Sequence, residues 1–295
     1  MGNNLTFIQE FINNEMKFKQ LHKKKNTSRI ILYYQTLIDL SSLIEQVKNN
    51  STILTHITLA SIHFGYNTIK GKQVPYIHLN DNDPNDSKFN KVYSQLKELK
   101  SLGIKVNILI GGAGTAFNQL FNDYSTFYKL LKDTINILEF IDGFNLDIEE
   151  GVTIDQMLTL IKDLKSDFPN KDIVFAPLGN SLATNQPGMG GFIYKNLIEQ
   201  LPKNIEIAYY NTQCYGEYSL ELYEEMLNNG YKQNEIVMGM LTGQDFDSIL
   251  KEIQKIKQKY PEFGGVAVWE YFNAPPESPD HPYEWCIKIA NVLNN

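Results

Sequence analysis

Short apolar segments alternate with longer amphipathic segments along most of the chain. The apolar segments predict eight strands, at residues 29–35, 56–64, 105–110, 140–149, 172–177, 205–211, 235–240 and 265–272. Helical periodicity fills the gaps between them, for example over residues 87–102, 127–140 and 246–260. Because eight strand–helix units are the number at which a parallel sheet closes, this α/β pattern predicts a single-domain (β/α)₈ TIM barrel over residues 29–295. A doubly wound open sheet is the alternative, although no GxGxxG segment begins a helix.

Residues 1–28 precede the first predicted strand. Their apolar positions, at 5, 8, 12 and 16, recur at helical spacing and predict an amphipathic N-terminal extension that packs against the barrel. Residues 1–6 also fit a pattern for N-myristoylation, although one acyl chain anchors a protein only weakly. Charged residues interrupt this segment, so we expect no secretory signal peptide. The predicted location is the cytoplasm, or the outside of the cell by a route that this chain does not reveal.

Residues 65–86 interrupt the alternation between the second strand and its helix. Residues 69–74 predict a small hairpin that turns at Gly71, and residues 80–86 form a polar turn sequence. Long loops in barrels are commonly functional, so we expect this one to form a wall of a substrate groove. Calcium binding by the polar turn is the alternative, but the turn lacks the spacing of an EF-hand.

Composition excludes several classes of function. The chain has 27 basic and 34 acidic residues, a net charge of −7, which argues against nucleic-acid binding. No apolar run is long enough for stable membrane insertion. Cys214 and Cys286 are the two cysteines, and they make neither a disulfide framework nor a metal site. The histidines show no ligand spacing, so we expect no metal and no cofactor, and we expect a monomer.

Residues 141–150 carry the clearest chemical signal. Side chains two apart on a strand share a face, so Asn145, Asp147 and Glu149 should point the same way. Two carboxyls at this spacing on an apolar strand raise one pKa, and acid–base catalysis needs such a group. The pattern therefore predicts that Glu149 is a catalytic acid. A solvated strand end or a metal-binding loop is the alternative.

Other candidate residues also fall at the ends of predicted strands, where barrel enzymes carry their active sites. Aromatic rings there can stack on a sugar ring, and amides can bind hydroxyl or acetamido groups, so we expect a carbohydrate substrate. The candidates are Tyr33, Gln35, Gly112, Asn145, Tyr210, Asn211, Gln213 and Trp269. Asp147 and Glu149 are too close together to flank a sugar, and an acetamido group of the substrate acting as the nucleophile resolves this problem.

The segment DGFNLDIE, residues 142–149, resembles the D-G-x-D-x-D-x-E strand motif of family 18 glycoside hydrolases, the chitinases and endo-β-N-acetylglucosaminidases. ILIGG at 108–112, AYYN at 208–211 and VAVWEYF at 266–272 are similar to other strand segments of that family. Longer phrases resemble a compact microbial and fungal branch that includes enzymes acting on the chitobiose core of N-glycans.

The resemblance implies a role for each matching residue. Glu149 would protonate the glycosidic oxygen and later activate water, and Asp147 would orient the acetamido N–H. Tyr210 would bind the acetamido carbonyl oxygen, and Trp269 would stack beneath the reacting sugar. Asn145 departs from the family pattern, which has Asp at this position. We hypothesise that its amide donates a hydrogen bond to Asp147 and so favours the anion.

The expected function is an endo-acting retaining hydrolase of GlcNAc-β-1,4-GlcNAc bonds, with the N-glycan core as the first substrate choice. The partner would be a GlcNAc-containing oligosaccharide or glycoprotein. Residues 241–246 connect the seventh strand almost directly to its helix. This leaves no room for the inserted domain that walls the groove of some chitinases, and an open groove suits endo-cleavage. A chitinase and a non-catalytic sugar-binding protein on the same fold are the alternatives.

Overall fold

Eight parallel strands close into a barrel in the computed structural model, which describes residues 28–294. The barrel strands are Arg29–Tyr34 (β1), His56–Ile69 (β2), Lys105–Gly111 (β4), Gly143–Asp147 (β5), Asp172–Phe175 (β6), Tyr209–Gln213 (β7), Ile236–Leu241 (β8) and Gly265–Trp269 (β9). Closure is direct, because Ile31 of β1 pairs with His56 on one side and with Ala267 on the other. The predicted TIM barrel is confirmed, and the open sheet is excluded.

Helices connect the strands and cover the outside of the barrel. They are Ser41–Asn49 (α1), Asn90–Ser101 (α2), Ala116–Asn122 (α3), Tyr124–Ile137 (α4), Ile154–Asp167 (α5), Gly179–Thr184 (α6), Tyr194–Ile198 (α7), Leu220–Asn228 (α8), Phe246–Lys259 (α9) and Glu284–Asn294 (α10). Alternation along each strand sorts side chains into two apolar layers. Tyr209 and Val174 lie in the small layer inside the barrel, whereas Phe175 and Leu146 lie in the large layer beneath the helices.

The hairpin predicted within residues 65–86 is present. Lys72–Leu79 (β3) runs antiparallel to the extended end of β2, and Lys70 and Gly71 form the turn with positive φ. Several strand boundaries differ from the prediction, and two of them affect the site. β7 begins at Tyr209 rather than at residue 205, and its pairing with β6 begins where Tyr209 lies opposite Val174. β5 ends at Asp147, so Glu149 lies just beyond the strand.

The predicted N-terminal helix and the acylation pattern fall within residues 1–27, outside the described residues, and stay predictions. Cys214 and Cys286 are both buried, and burial raises the pKa of the Cys214 thiol to about 12. Among residues 28–294, no group of three or more His, Cys, Asp or Glu side chains could hold a metal ion. In the same range, no helix is long and apolar enough to cross a membrane.

Candidate active site

A cavity of about 180 Å³ lies at the carboxyl ends of the barrel strands. Its walls are formed by Gly112, Ala113, Asp147, Glu149, Gln213, Tyr215, Leu241 and Trp269. Five of these eight residues were predicted as site residues from the sequence, and they come from four different strands or the loops that follow them. The barrel therefore brings together side chains that lie far apart in the chain.

Two carboxyl side chains, those of Asp147 and Glu149, share this cavity. Asp147 is only 6% exposed, and burial followed by the charge of Glu149 raises its pKa well above the usual value. Burial also raises the pKa of Glu149. Gln213 opposes both shifts by hydrogen bonding, and its Nε2 donates to Oδ1 of Asp147 at 2.9 Å. The pair therefore retains a proton at a pH where exposed carboxyls have lost theirs.

Backbone from the end of β4 holds Asp147 in place. The N–H of Gly112 donates to the carbonyl oxygen of Asp147 at 2.9 Å. Gly111 and Gly112 have φ angles of 98° and 85°, a region that favours glycine. A Cβ on Gly111 would collide with the same carbonyl oxygen. These glycines let the loop approach Asp147 closely enough to line the cavity.

A buried layer of polar side chains lies beneath the carboxyls. The hydroxyl oxygen of Tyr33 accepts hydrogen bonds from the amides of Asn145 at 2.8 Å and Asn211 at 2.9 Å. Among the described residues no hydrogen bond joins Asn145 to Asp147, so the hypothesis that Asn145 donates to Asp147 is wrong, and the observed donor to Asp147 is Gln213. The Tyr33 ring lies 5.2 Å from that of Trp269, centroid to centroid, and so supports the cavity floor.

Two residues that the sequence reasoning missed belong to this region. Tyr215 lines the cavity, and burial followed by the charge of Asp147 raises its pKa, which keeps the hydroxyl protonated. Glu150 is buried on the other side of the loop, where its Oε1 accepts from the N–H of Phe117 at 2.5 Å. Strand alternation continued past Gln213 would have found Tyr215. We see no sequence signal that would have identified Glu150.

Solved structures with the same fold were found by comparison. A fungal endo-β-N-acetylglucosaminidase from glycoside hydrolase family 18 is 29% identical; the match covers 90% of this chain and 98% of that one, with a TM-score of 0.76. A chitinase from Aspergillus fumigatus is 28% identical, covering 90% and 99% of the two chains, with a TM-score of 0.73. The resemblance to glycoside hydrolase family 18 is confirmed.

A third family 18 structure, a chitinase from Pseudoalteromonas aurantia, is 20% identical over 90% of this chain and all of that one, with a TM-score of 0.65, and supports the fold alone. No protein-family model and no curated protein matches the sequence. The family 18 fold and the two structures near 30% identity support glycoside hydrolase activity. They include both an endoglycosidase and a chitinase, so they do not distinguish the substrate.

The structure corrects the position expected for Tyr210 from the family 18 resemblance. The Tyr210 ring lies in the layer beneath the helices, 6.4 Å from Phe175 and 5.2 Å from Tyr231 between ring centroids. Because side chains alternate along β7, the inward positions are Tyr209, Asn211 and Gln213, and Tyr210 must point outward. Tyr210 therefore does not line the cavity, whereas Tyr215 does.

Gln35 also lies outside the cavity lining. Its backbone N–H donates to Oε2 of Glu270 at 3.0 Å, and its carbonyl oxygen accepts from Nδ2 of Asn80 at 2.7 Å. These contacts fix the loop after β1 against the loop after β9. Gln35 thus helps to shape the rim of the barrel through its backbone, whereas the expected contact of its side chain with a sugar stays a prediction.

Proposed function

We propose that the protein is an endo-acting, retaining glycoside hydrolase that cleaves GlcNAc-β-1,4-GlcNAc bonds in the chitobiose core of N-glycans. The observation that carries this proposal is the pairing of buried Asp147 with half-buried Glu149 in a cavity that also holds Gln213 and Trp269. A proton-retaining carboxyl pair beside amide and aromatic groups fits hydrolysis of an acetamido sugar better than binding alone.

The carboxyls would divide the chemistry between them. Glu149, the less buried of the two, donates its proton to the glycosidic oxygen as the bond to C1 breaks. The carbonyl oxygen of the substrate's own acetamido group attacks C1 and forms an oxazolinium ion, whose positive charge the Asp147 anion stabilises. Glu149 then takes a proton from water as the water opens that ion. Two displacements at C1 retain the anomeric configuration.

Neutral groups would position the acetamido group for this attack. Tyr215 lines the same cavity and stays protonated, so its hydroxyl can donate to the acetamido carbonyl oxygen. This assigns to Tyr215 the role that the family resemblance gave to Tyr210. Gln213 holds Asp147, and Trp269, supported by Tyr33, offers an aromatic surface to the sugar ring.

Chitin oligomers are the second candidate substrate, because the A. fumigatus chitinase is nearly as similar to this chain as the fungal endoglycosidase. One feature supports an endo-acting enzyme on either substrate. β8 ends at Leu241 and α9 begins at Phe246, which leaves the cleft without an inserted domain. A sugar-binding protein without catalysis is less well supported, since both carboxyls and their amide partner are intact.

The test is to incubate the protein separately with a high-mannose Asn-linked glycopeptide and with chitopentaose, and to analyse the products by mass spectrometry. Glu149→Gln is the matched control, because the amide keeps the size of the side chain and removes its acidic proton. Cleavage of the glycopeptide between its two core GlcNAc residues, lost in the variant, is the expected result. Cleavage of chitopentaose alone would make the protein a chitinase. Binding of both without any product would refute hydrolysis.

A further inference from the structure

The hairpin of β2 and β3 carries a row of aromatic rings on one of its faces. His63 pairs with His78 across the two strands, and Gly65 pairs with Tyr76, so these four residues share a face. The rings of His63 and His78 are stacked, with centroids 5.4 Å apart and an interplanar angle of 18°. The rings of His78 and Tyr76 are 5.3 Å apart at 31°. We call Tyr76, His78 and His63 the hairpin row.

The opposite face of the hairpin is occupied by helix packing. Phe64 and Tyr66 contact Phe127 of α4, with ring centroids 5.6 and 5.1 Å away. Ile62 and Leu79, also on this face, are buried in the layer beneath the helices. Because the helix layer takes this face, the hairpin row must face the other way, over the mouth of the barrel.

The hairpin row continues directly into the cavity wall. Cδ2 and Nε2 of His63 lie 3.5 Å from the position that a Cβ would take on Gly114. Gly112 and Ala113, the two residues before it, line the cavity. At the base of the hairpin, Nδ2 of Asn80 donates to the carbonyl oxygen of Gln35 at 2.7 Å, which ties the hairpin to the end of β1. The hairpin row therefore lies beside the loop that lines the cavity of the carboxyls.

The chemistry of the hairpin row suits an uncharged sugar. A Cβ on Gly65 would lie 3.0 to 3.1 Å from ring and hydroxyl atoms of Tyr76, so the missing side chain lets this ring lie over β2. Tyr76 remains partly exposed. Nδ1 of His78 accepts from the N–H of Asp81 at 3.0 Å, which places the ring proton on Nε2 as a donor. Burial lowers the pKa of both imidazoles, so both are neutral at pH 7.

We propose that the hairpin row binds the sugar units of the substrate that extend beyond the one held in the cavity. Tyr76 supplies an apolar ring surface for sugar C–H groups, and His78 supplies a hydrogen-bond donor for a hydroxyl. This assignment rests on the proposed function, because it takes the substrate of the same cleft to be a chain of several sugars. The row then selects long substrates over short ones.

The test compares Tyr76→Ala and His78→Ala with Gln73→Ala as the matched control, since Gln73 is exposed on the opposite face of the same hairpin. KM and kcat are measured for the glycopeptide and chitopentaose, and for p-nitrophenyl chitobioside as the short substrate. We expect Tyr76→Ala to raise KM for the long substrate about tenfold, the scale of one aromatic contact, with kcat nearly unchanged. The short substrate and the control variant should show no change. Tyr76→Phe, which keeps the ring, should restore KM.

Binding to the Glu149→Gln protein separates failure of this site from failure of the proposed function. Calorimetric titration with chitopentaose or with the glycopeptide is repeated after adding Tyr76→Ala or Gln73→Ala to that background. Weaker binding with Tyr76→Ala alone supports the hairpin row even if the parent protein hydrolyses nothing. Equal affinity in both double variants overturns the proposed role of the hairpin row, whether or not the parent protein hydrolyses the substrate. Hydrolysis with an unchanged KM for the long substrate overturns that role and leaves the proposed function standing.

Discussion

β5 and β7 build the candidate site from the same alternation but with opposite chemistry. On its inward face each strand crosses a buried polar layer, and it then reaches the cavity through residues that lie two positions apart. β5 and its following loop supply Asn145, Asp147 and Glu149, whereas β7 and its following loop supply Asn211, Gln213 and Tyr215. One strand thus brings two acids, and the other brings only neutral polar groups.

This difference between the two strands explains why Glu149 can keep its proton. No lysine or arginine is among the described residues that line the cavity, so no cation lowers the pKa of the carboxyls. The neutral strand instead gives a single hydrogen-bond donor, Gln213, which restrains the shift without cancelling it. A lysine at that position would offset the negative charge of Asp147, lower the pKa of both carboxyls and so release the proton that Glu149 needs.

Removing the charge of Asp147 from β5 should have the largest effect on activity. Asp147→Asn keeps an acceptor for Gln213 but cannot stabilise a cationic intermediate, so kcat should fall by about a hundredfold to a thousandfold.

The same Asp147→Asn variant should be more stable than the parent protein at neutral pH. A carboxyl whose folded pKa is raised weakens the fold as pH rises from its unfolded pKa towards its folded pKa. The variant should therefore melt higher than the parent at pH 7 and equally at pH 3, in thermal scans at both pH values. A lower melting temperature at pH 7 would contradict the assigned direction.

Changing the two tyrosines near β7 tests which side of that strand faces the substrate. Tyr215→Phe removes a hydroxyl from the cavity, and we expect kcat to fall by about ten- to a hundredfold because one donor to the acetamido group is lost. Tyr210→Phe is the matched control and should leave both kcat and KM unchanged. Steady-state kinetics on the same substrate decides the point. A large effect of Tyr210→Phe with none of Tyr215→Phe would reverse the assignment.

A third carboxyl on β5 and its following loop would increase the chemical difference between β5 and β7. In Asn145→Asp, the new carboxyl lies on the same face as Asp147, and its charge should raise the pKa of the pair. The alkaline limb of the profile of kcat/KM against pH should then move to higher pH, with a smaller loss of rate than in Asp147→Asn. An unchanged pH profile would show that a charge in the polar layer beside Tyr33 does not alter the pKa of Asp147 or Glu149.

The smallest effect is expected at Glu150, whose charge lies on the far side of the loop. Its carboxyl and that of Glu149 repel each other, so Glu150→Gln should lower the pKa of Glu149 slightly and move the alkaline limb to lower pH. The rate at the optimum should change by less than about threefold, since the amide can still accept from Phe117. Glu139→Gln, an exposed carboxyl preceding β5, is the control. Identical profiles for the two variants would count against the coupling.

Sequence reasoning found the acids but placed the tyrosine incorrectly, and the reason is physical. The alternation along residues 141–150 is local, so it correctly predicted that Asp147 and Glu149 share one cavity. The same rule applied to residues 209–215 would have turned Tyr210 outward and Tyr215 inward. The predicted strand ended at residue 211, however, and the family resemblance pointed to Tyr210 in the Tyr-Asn pair at 210–211.

The polar contacts could not be predicted because they join distant parts of the chain. Gln213 reaches Asp147 across 66 positions, and Asn145 reaches Tyr33 across 112. Strand identity and the direction in which each side chain faces therefore followed from local pattern, whereas hydrogen-bond partners depended on closure of the barrel.

The burial of both native cysteines makes this protein suited to single-site labelling. Alkylating reagents react with accessible thiolates, whereas Cys214 and Cys286 are buried and protonated and should not react. Leu241 is 37% exposed at the edge of the cavity. In Leu241→Cys, a maleimide dye would attach at this edge alone, and the entry of a sugar could be followed by fluorescence with both native cysteines left in place.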